Sequence, residues 1–394
     1  MSFRTSLLQK LPGKLPSSEA NSMFRHLLLV IVAAAVATAE PLVSDETGAS
    51  IEPTQPLHAS RKPPLPHQTA TPTPSDAGSD ASADEPTPPP APPLSFGVAL
   101  RAARPWSFTA TIAPVLLGTA VALQAEGTFN PLLLLLSLGT TLSVHAAGNL
   151  MNTLFDYLNG YDSSSSSDLT LVSGLLSPRQ FYHMIAAAFG SAAVFAAPIP
   201  AISQVPVRRL LAMLGLGAAS SYVYTGGPGL KYRALGDVLI TGTLGPLLVA
   251  FAFCVQTDGL IGWRPIAASI PVALHIEAIL HANNGRDVEE DVGNGVITLA
   301  AMLGKQASSV LYGALILVPY AGCLLHAYSR SVLAALPLVS APQALRLVRD
   351  FSRGVLRRLP MRTAKFQFLF GMLTVAGVLI PAPAISSVFR ILSR

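Results

Sequence analysis

The sequence predicts an all-α, polytopic membrane protein of about nine transmembrane helices, preceded by a disordered N-terminal region. Three observations carry that reading. Hydrophobic residues make up 51% of the 394 positions and charged residues only 12%, about half the charged share of a soluble domain. Mean hydropathy is +0.49. From position 105 onward, apolar runs of around twenty residues recur between short polar loops, and that is the length a helix needs to cross the hydrocarbon core.

Residues 1–26 are basic, with Glu19 as their one acid, and a thirteen-residue largely apolar run follows, Leu27 to Ala39. This stretch is too short to span comfortably. Its ending, Ala37-Thr38-Ala39-Glu40, is of the kind cleaved after secretory signals. An organelle transit peptide, an interfacial anchor or a mis-assigned start fit as well, so 1–39 reads as a targeting or anchoring segment. Residues 40–95 are rich in Pro, Ser, Thr, Ala and Asp. They cannot bury enough apolar surface to offset chain entropy and read as a disordered linker. The transmembrane domain then covers 97–390, with spans near 105–124, 131–157, 178–199, 206–225, 234–256, 263–284, 306–327, 331–348 and 364–388.

The two cysteines, Cys254 and Cys323, both lie in apolar stretches, so neither a disulfide framework nor a zinc site is implied. A net charge of +5 reflects loop topology in such a chain and implies no nucleic-acid partner. The segments before the first span and after the second, fourth, sixth and eighth share one side. They hold most of the basic residues, among them Arg104, Lys231, Arg286, Arg349, Arg357 and Lys365. By the positive-inside rule that side faces the cytoplasm. A cleaved secretory signal would put the first span the other way round, so the two readings conflict.

Acidic residues point to the chemistry. Twelve occur from position 101 onward, and most fall in two short segments. The first runs from Asn149 through Asn152, Asp156 and Asp162 to Asp168. The second runs from Asn283 and Asn284 through Arg286 and Asp287 to Asp291. Both emerge on the cytoplasmic side. Asn152 and Asp156 are four apart, as are Asn283, Asp287 and Asp291, so each set lines one helical face. Carboxylates stacked beside a bilayer repel unless a cation neutralises them. Asp and Asn offer hard oxygens, which suit Mg²⁺, an ion that completes its shell with water and phosphate oxygens. Two facing clusters therefore make a seat for a Mg²⁺-bridged diphosphate.

Lys231 and Arg286 lie on the same side and can hold phosphate oxygens directly. Lys231 follows the glycine-rich segment Tyr224-Thr225-Gly226-Gly227-Pro228-Gly229, which reads first as a tight turn between helices. His145, His275 and His281 lie within spans, where helix–helix hydrogen bonds are the expected role. His281 lies shortly before Asp287 and could also support the metal ligands. The serines at 163–167 read as a flexible connector.

These residues resemble the UbiA superfamily of intramembrane prenyltransferases, and within it the animal branch that forms menaquinone-4. The likeness rests on Leu100 to Phe108 (with Arg104-Pro105-Trp106), Gly148-Asn149 with Asn152-Thr153, Tyr224-Thr225-Gly226-Gly227 and Lys231-Tyr232. It continues with Leu235-Gly236-Asp237, Glu277, His281-Ala282-Asn283-Asn284, and Arg362-Thr363-Ala364-Lys365 before the last span. It covers about 97–385. The resemblance implies a nine-helix bundle around a central cavity with a polar cap that holds two Mg²⁺ ions. Carried over by position, Asn152, Asp156 and Asp162 or Asp168 serve one metal, and Asp287 and Asp291 the other. Lys231 and Arg286, with Asn149, Asn152, Asn283 and Asn284, face the diphosphate, and Asp156, Asp287 and Lys231 carry catalysis. Where the family form has Asp-Asp-Arg-Thr, this chain has Ser167-Asp168-Leu169-Thr170, which removes one phosphate contact.

The implied reaction transfers a geranylgeranyl group from its diphosphate to a reduced, menadione-type naphthoquinone. Also implied are residence in the endoplasmic reticulum or Golgi, with mitochondria as the alternative, and a sterol-pathway membrane protein as partner. Rival readings are another aromatic acceptor (4-hydroxybenzoate, homogentisate or haem), a non-catalytic prenyl-lipid or sterol sensor, and a cation transporter. The last fits less well, since transporter acids sit near the bilayer midplane and these sit at helix ends beside basic residues.

Overall fold

A computed structural model describes residues 19, 22–24, 26, 95–162, 169–380 and 383. Asp168 and the serine run lie outside the described residues, as do 40–94 and nearly all of 1–39. The chain is helical throughout the described bundle, and its only β pairing there is an isolated bridge. A short helix α1 (Phe96–Ala102) and a 3-10 turn (Pro105–Phe108) lead into α2 (Thr109–Glu126). Then come α3 (Pro131–Leu158), α4 (Pro178–Ala196), the short α5 (Ile199–Ser203) and α6 (Val207–Thr225). A span with a π turn in its middle follows, α7 (Gly236–Gly242) and α8 (Leu248–Gln256). The remainder is α9 (Trp263–Gly293), α10 (Leu299–Ser329), a 3-10 segment (Val332–Ser340) running into α11 (Ala341–Ser352), and α12 (Leu359–Leu379).

Local sequence explains where these helices begin and bend. Asn130 caps α3 by accepting from the Leu132 and Leu133 amides, with Pro131 in the first turn, where a missing N–H costs nothing. Ser177 and Gln180 form a capping box at the head of α4. Pro246 lies in a π turn, Thr243–Leu247, that separates α7 from α8; its ring cannot supply the helical N–H and crowds the preceding turn. Gly304, at φ 68°, kinks α10.

Among the described residues, nine helical segments occupy the nine predicted positions, and seven are long and apolar enough to cross a membrane. The other two are α6 and α12, which carry Arg208 and Arg209, and Arg362 and Lys365, in their first two turns. The sixth segment is longer than the apolar run suggested. At 31 residues α9 extends about 46 Å, against a hydrocarbon core of about 30 Å. About ten residues at its charged end, from Asn283 on, therefore project beyond the apolar layer as helix.

The bundle packs around α2, whose apolar window is 72% buried and which contacts α8, α9 and α12. Between apolar helices in lipid, association depends on close packing and not on exclusion of water. Gly118 shows the consequence: a Cβ there would stand 2.3 Å from the Val249 carbonyl oxygen and 2.9 Å from the Ala252 Cβ. Gly118→Leu is accordingly expected to destabilise the bundle by about 1–3 kcal/mol or more, since the obstacle is backbone. A thermal-unfolding midpoint in detergent equal to that of the unaltered protein would contradict it. At the opposite end from the charged loops, Phe24 is buried against Phe129, their ring centroids 4.6 Å apart.

Candidate active site

Three polar loops meet at the end of the bundle where α3, α6 and α9 finish. The first follows α3 and carries Asn159, Tyr161 and Asp162. The second, between α6 and α7, turns sharply: Gly227 and Gly229 have φ of 52° and 56°, a region that glycine enters without Cβ strain. That turn delivers Lys231 and Tyr232 on a short 3-10 segment. The third follows α9 and is tied to the others. Asn294 donates to the Tyr161 carbonyl at 2.7 Å, Arg233 bridges to Ile297, and the Tyr161 and Tyr232 rings lie 4.4 Å apart.

Asp156, in the last turn of α3, is the hub. Its Oδ2 pairs with Lys231 Nζ at 2.7 Å, with side chains only 8% and 18% exposed. Its Oδ1 accepts from the Tyr232 hydroxyl at 2.7 Å. Burial, reinforced by the neighbouring Asp156 carboxylate, holds the Tyr232 phenol well above its ordinary range. It therefore stays protonated and remains a donor. Asn152, its amide oxygen turned toward Arg104, accepts from Arg104 Nη1 at 3.1 Å and donates to Asp156 Oδ2 at 3.2 Å. Arg104 also donates to Thr153 Oγ1 at 2.9 Å. Asn149 donates to the Ala103 carbonyl and the Ser107 hydroxyl, pinning the segment that holds Arg104 onto α3.

On α9, Asp291 lies within electrostatic reach of Lys231, Asp287 and Asp156. Arg286 grips Asp287 of its own helix through two hydrogen bonds of 2.6 and 2.5 Å, and it does not line the central cavity. Asn283 lines the cavity, and its Oδ1 is buried without a hydrogen-bond partner. Asn284 turns away from the cavity toward Asp237, 3.5 Å distant. Asp162 is half-buried in the loop beside Tyr161. The histidines behave as expected of helix-bridging groups: His145 meets Ser107 and Thr111, His275 meets the Ile316 carbonyl and His281 meets Ser308.

Below the cap lies a cavity of about 180 Å³. Arg104, Asn149, Asn152 and Asn283 form its polar mouth. Its body is apolar, walled by Val144, Met213, Leu248, Phe251 and Ile276, with Tyr224 and Ser221 between. Helix directions place Met213 and Phe251 toward the far end. Arg104 is the site residue that charge counting treated as a topology signal. The available clue was its place beside Pro105 at the threshold of the first span, where its left-handed backbone (φ 54°, ψ 58°) turns the chain into the cavity mouth.

A helical membrane bundle with a greasy cavity under a lid of carboxylates and cations is built to hold a long apolar molecule with an anionic head. The fold and site are those of an intramembrane prenyltransferase. The sequence profile of the UbiA prenyltransferase family matches residues 111–374, and the chain belongs to that family. Among curated relatives, UbiA prenyltransferase domain-containing protein 1 of Gallus gallus is 42% identical over 283 residues, 72% of this chain and 84% of the relative. The Homo sapiens protein is 40% identical over the same share of this chain and 83% of its own length. In structure, the chain resembles an apo UbiA homolog from Aeropyrum pernix (TM-score 0.52, 16% identity, 66% of this chain and 95% of that one). It also resembles a UbiA homolog from Archaeoglobus fulgidus bound to GPP and Mg²⁺ (TM-score 0.50, 17% identity, 72% and 100%).

Proposed function

We propose that this prenyltransferase moves a polyprenyl group, geranylgeranyl by family likeness, from its diphosphate to the ring of a reduced, menadione-type naphthoquinone, giving menaquinone-4, with Mg²⁺ as cofactor. The observation that carries the reading is the approach of Asp291 to the Asp156–Lys231 pair, above an apolar cavity with Arg104 at its mouth. The donors fit Mg²⁺: all are hard oxygens, and the orphaned Asn283 Oδ1 is an acceptor that a cation can satisfy and a phosphate oxygen cannot. Asp156, Asp287 and Asp291 would hold the ions, with Asn152 and Asp162 beside them, and Asp168 by family position. The archaeal homolog bound to GPP and Mg²⁺ supports the same pairing of ligands. Bound there, Mg²⁺ neutralises the diphosphate and makes it a better leaving group.

The protein's own groups do the rest. Lys231 and Arg104 draw the diphosphate head to the mouth, and Arg286 reaches it when Asp287 turns to a cation. The apolar walls hold the prenyl chain and keep water from the allylic carbon as its C–O bond lengthens. The electron-rich ring then attacks that carbon, the diphosphate leaves with the bonding pair, and the ring loses its proton. In the same reading the cap faces the cytoplasm, the membrane is that of the endoplasmic reticulum or Golgi, and a sterol-pathway membrane protein is the partner.

The test is a membrane-fraction assay with geranylgeranyl diphosphate and reduced menadione, with and without Mg²⁺. Mg²⁺-dependent menaquinone-4 is the expected product. Turnover with a different aromatic acceptor would reassign the substrate and keep the chemistry. Folded protein that is inert with every acceptor would point to a prenyl-lipid-binding role, with Leu169, exposed at the cap in place of the family's arginine, as the reason.

A further inference from the structure

Outside this site, and absent from the cavity lining, three ionisable side chains converge between α7 and α9. Asp237, Glu277 and His281 are 5%, 6% and 0% exposed, and one ligand atom of each lies within 4.8 Å of the others. Among the described residues neither carboxylate has a lysine or arginine partner, although the two acids are close enough to hydrogen-bond one another. Two buried carboxylates in contact are costly unless something positive lies between them.

The surrounding bonds leave the inward-facing atoms bare. Thr241 Oγ1 donates to Glu277 Oε2 at 2.6 Å, and Glu277 Oε1, beside the Asp237 carboxylate, has no donor. His281 Nε2 meets the Ser308 hydroxyl at 2.8 Å and the Ser308 carbonyl at 3.1 Å; the carbonyl can only accept, so the proton belongs on that nitrogen, and Nδ1 is left buried and unpartnered. An imidazole whose one nitrogen is tied to a backbone carbonyl while the other stays basic is the outer-shell arrangement of metal-ligating histidines.

We propose that Asp237, Glu277 and His281 bind a first-row divalent cation such as Zn²⁺ or Mn²⁺, separate from the Mg²⁺ seat of the cap. Two carboxylates with one imidazole suit such an ion better than Mg²⁺, which prefers oxygen alone. Ligands at about 2.1 Å from a common ion lie roughly 3–4 Å apart, so binding closes the cluster only slightly. The ion cross-links α7 to α9 just beneath the cap. Through the contact of Asp237 with Asn284, it steadies the part of α9 that carries Asp287 and Asp291.

Elemental analysis of full-length protein purified without added metal tests this, on the unaltered chain, on Asp287→Asn/Asp291→Asn and on Glu277→Gln. About one equivalent of first-row metal is expected in the first two and at least a tenfold loss in the third. Co²⁺ alone, titrated into the cap-altered protein, should give a saturable visible absorption band. That titration decides the matter if Glu277→Gln does not fold. Absence of both metal and Co²⁺ uptake in the cap-altered protein would overturn the proposal and leave the two acids sharing a proton. Metal content unchanged in a folded Glu277→Gln protein would also overturn it.

Discussion

Asp287→Ala lowers prenyl transfer by about a hundredfold to a thousandfold while the protein stays folded. The magnitude is what removal of one strong electrostatic contributor to a developing anion costs in enzymes. Asp287 stands on α9, and its present partner is Arg286, the residue before it in the chain. That pair is partly exposed, with side chains 23% and 29% accessible, and such pairs contribute little to stability, about 0–1 kcal/mol. Structure and catalysis therefore separate cleanly at this position. The measurement is the rate of Mg²⁺-dependent transfer beside the thermal-unfolding midpoint of the same preparation. Near-normal turnover in the folded variant would remove Asp287 from the metal seat. A collapse of folding would instead mean that the Arg286 pair holds the end of α9 in place.

Much of this arrangement was legible in the sequence because polar residues are conspicuous against an apolar background. The spacing of Asn152 with Asp156, and of Asn283, Asp287 and Asp291, held because both sets lie on continuous helix that outlasts the hydrocarbon layer. What could not be read was how each side chain is held. A helical face says which residues line up, but whether Asn284 looks into the cavity or back toward Asp237 depends on packing between helices distant in sequence. The same limit hid Arg104, Tyr232 and the Glu277 cluster. Glu277 lies in an apolar run and its partners in another, and only the fold brings them together. The π turn at Pro246 was within reach of sequence rules, since proline interrupts the helical ladder, yet the apolar run continues through it and masks it.

Lys231→Met is the second large effect, and it should appear in stability as well as in rate. Lys231 pairs with Asp156 at 2.7 Å, and removing one member of a buried pair leaves the other charge stranded. The cost is about 3 kcal/mol, the lower end of the range for such losses, because Tyr232 and Asn152 still donate to the carboxylate. Adding Asp156→Asn to that variant removes the stranded charge and keeps an acceptor for Tyr232, so most of the lost stability should return. Activity should not return if Lys231 and Asp156 serve as proposed, because the double variant lacks both the cation and the carboxylate. Three preparations, Lys231→Met, Asp156→Asn and the pair, compared for unfolding midpoint and for Mg²⁺-dependent transfer, decide it. A double variant as unstable as Lys231→Met alone would show that the two residues are not coupled through charge. A stable double variant that still turns over would place the diphosphate seat elsewhere in the cap. The expected pattern, stability restored and catalysis absent, holds only if one ion pair both holds α3 to the glycine turn and stands where the substrate's head group must bind.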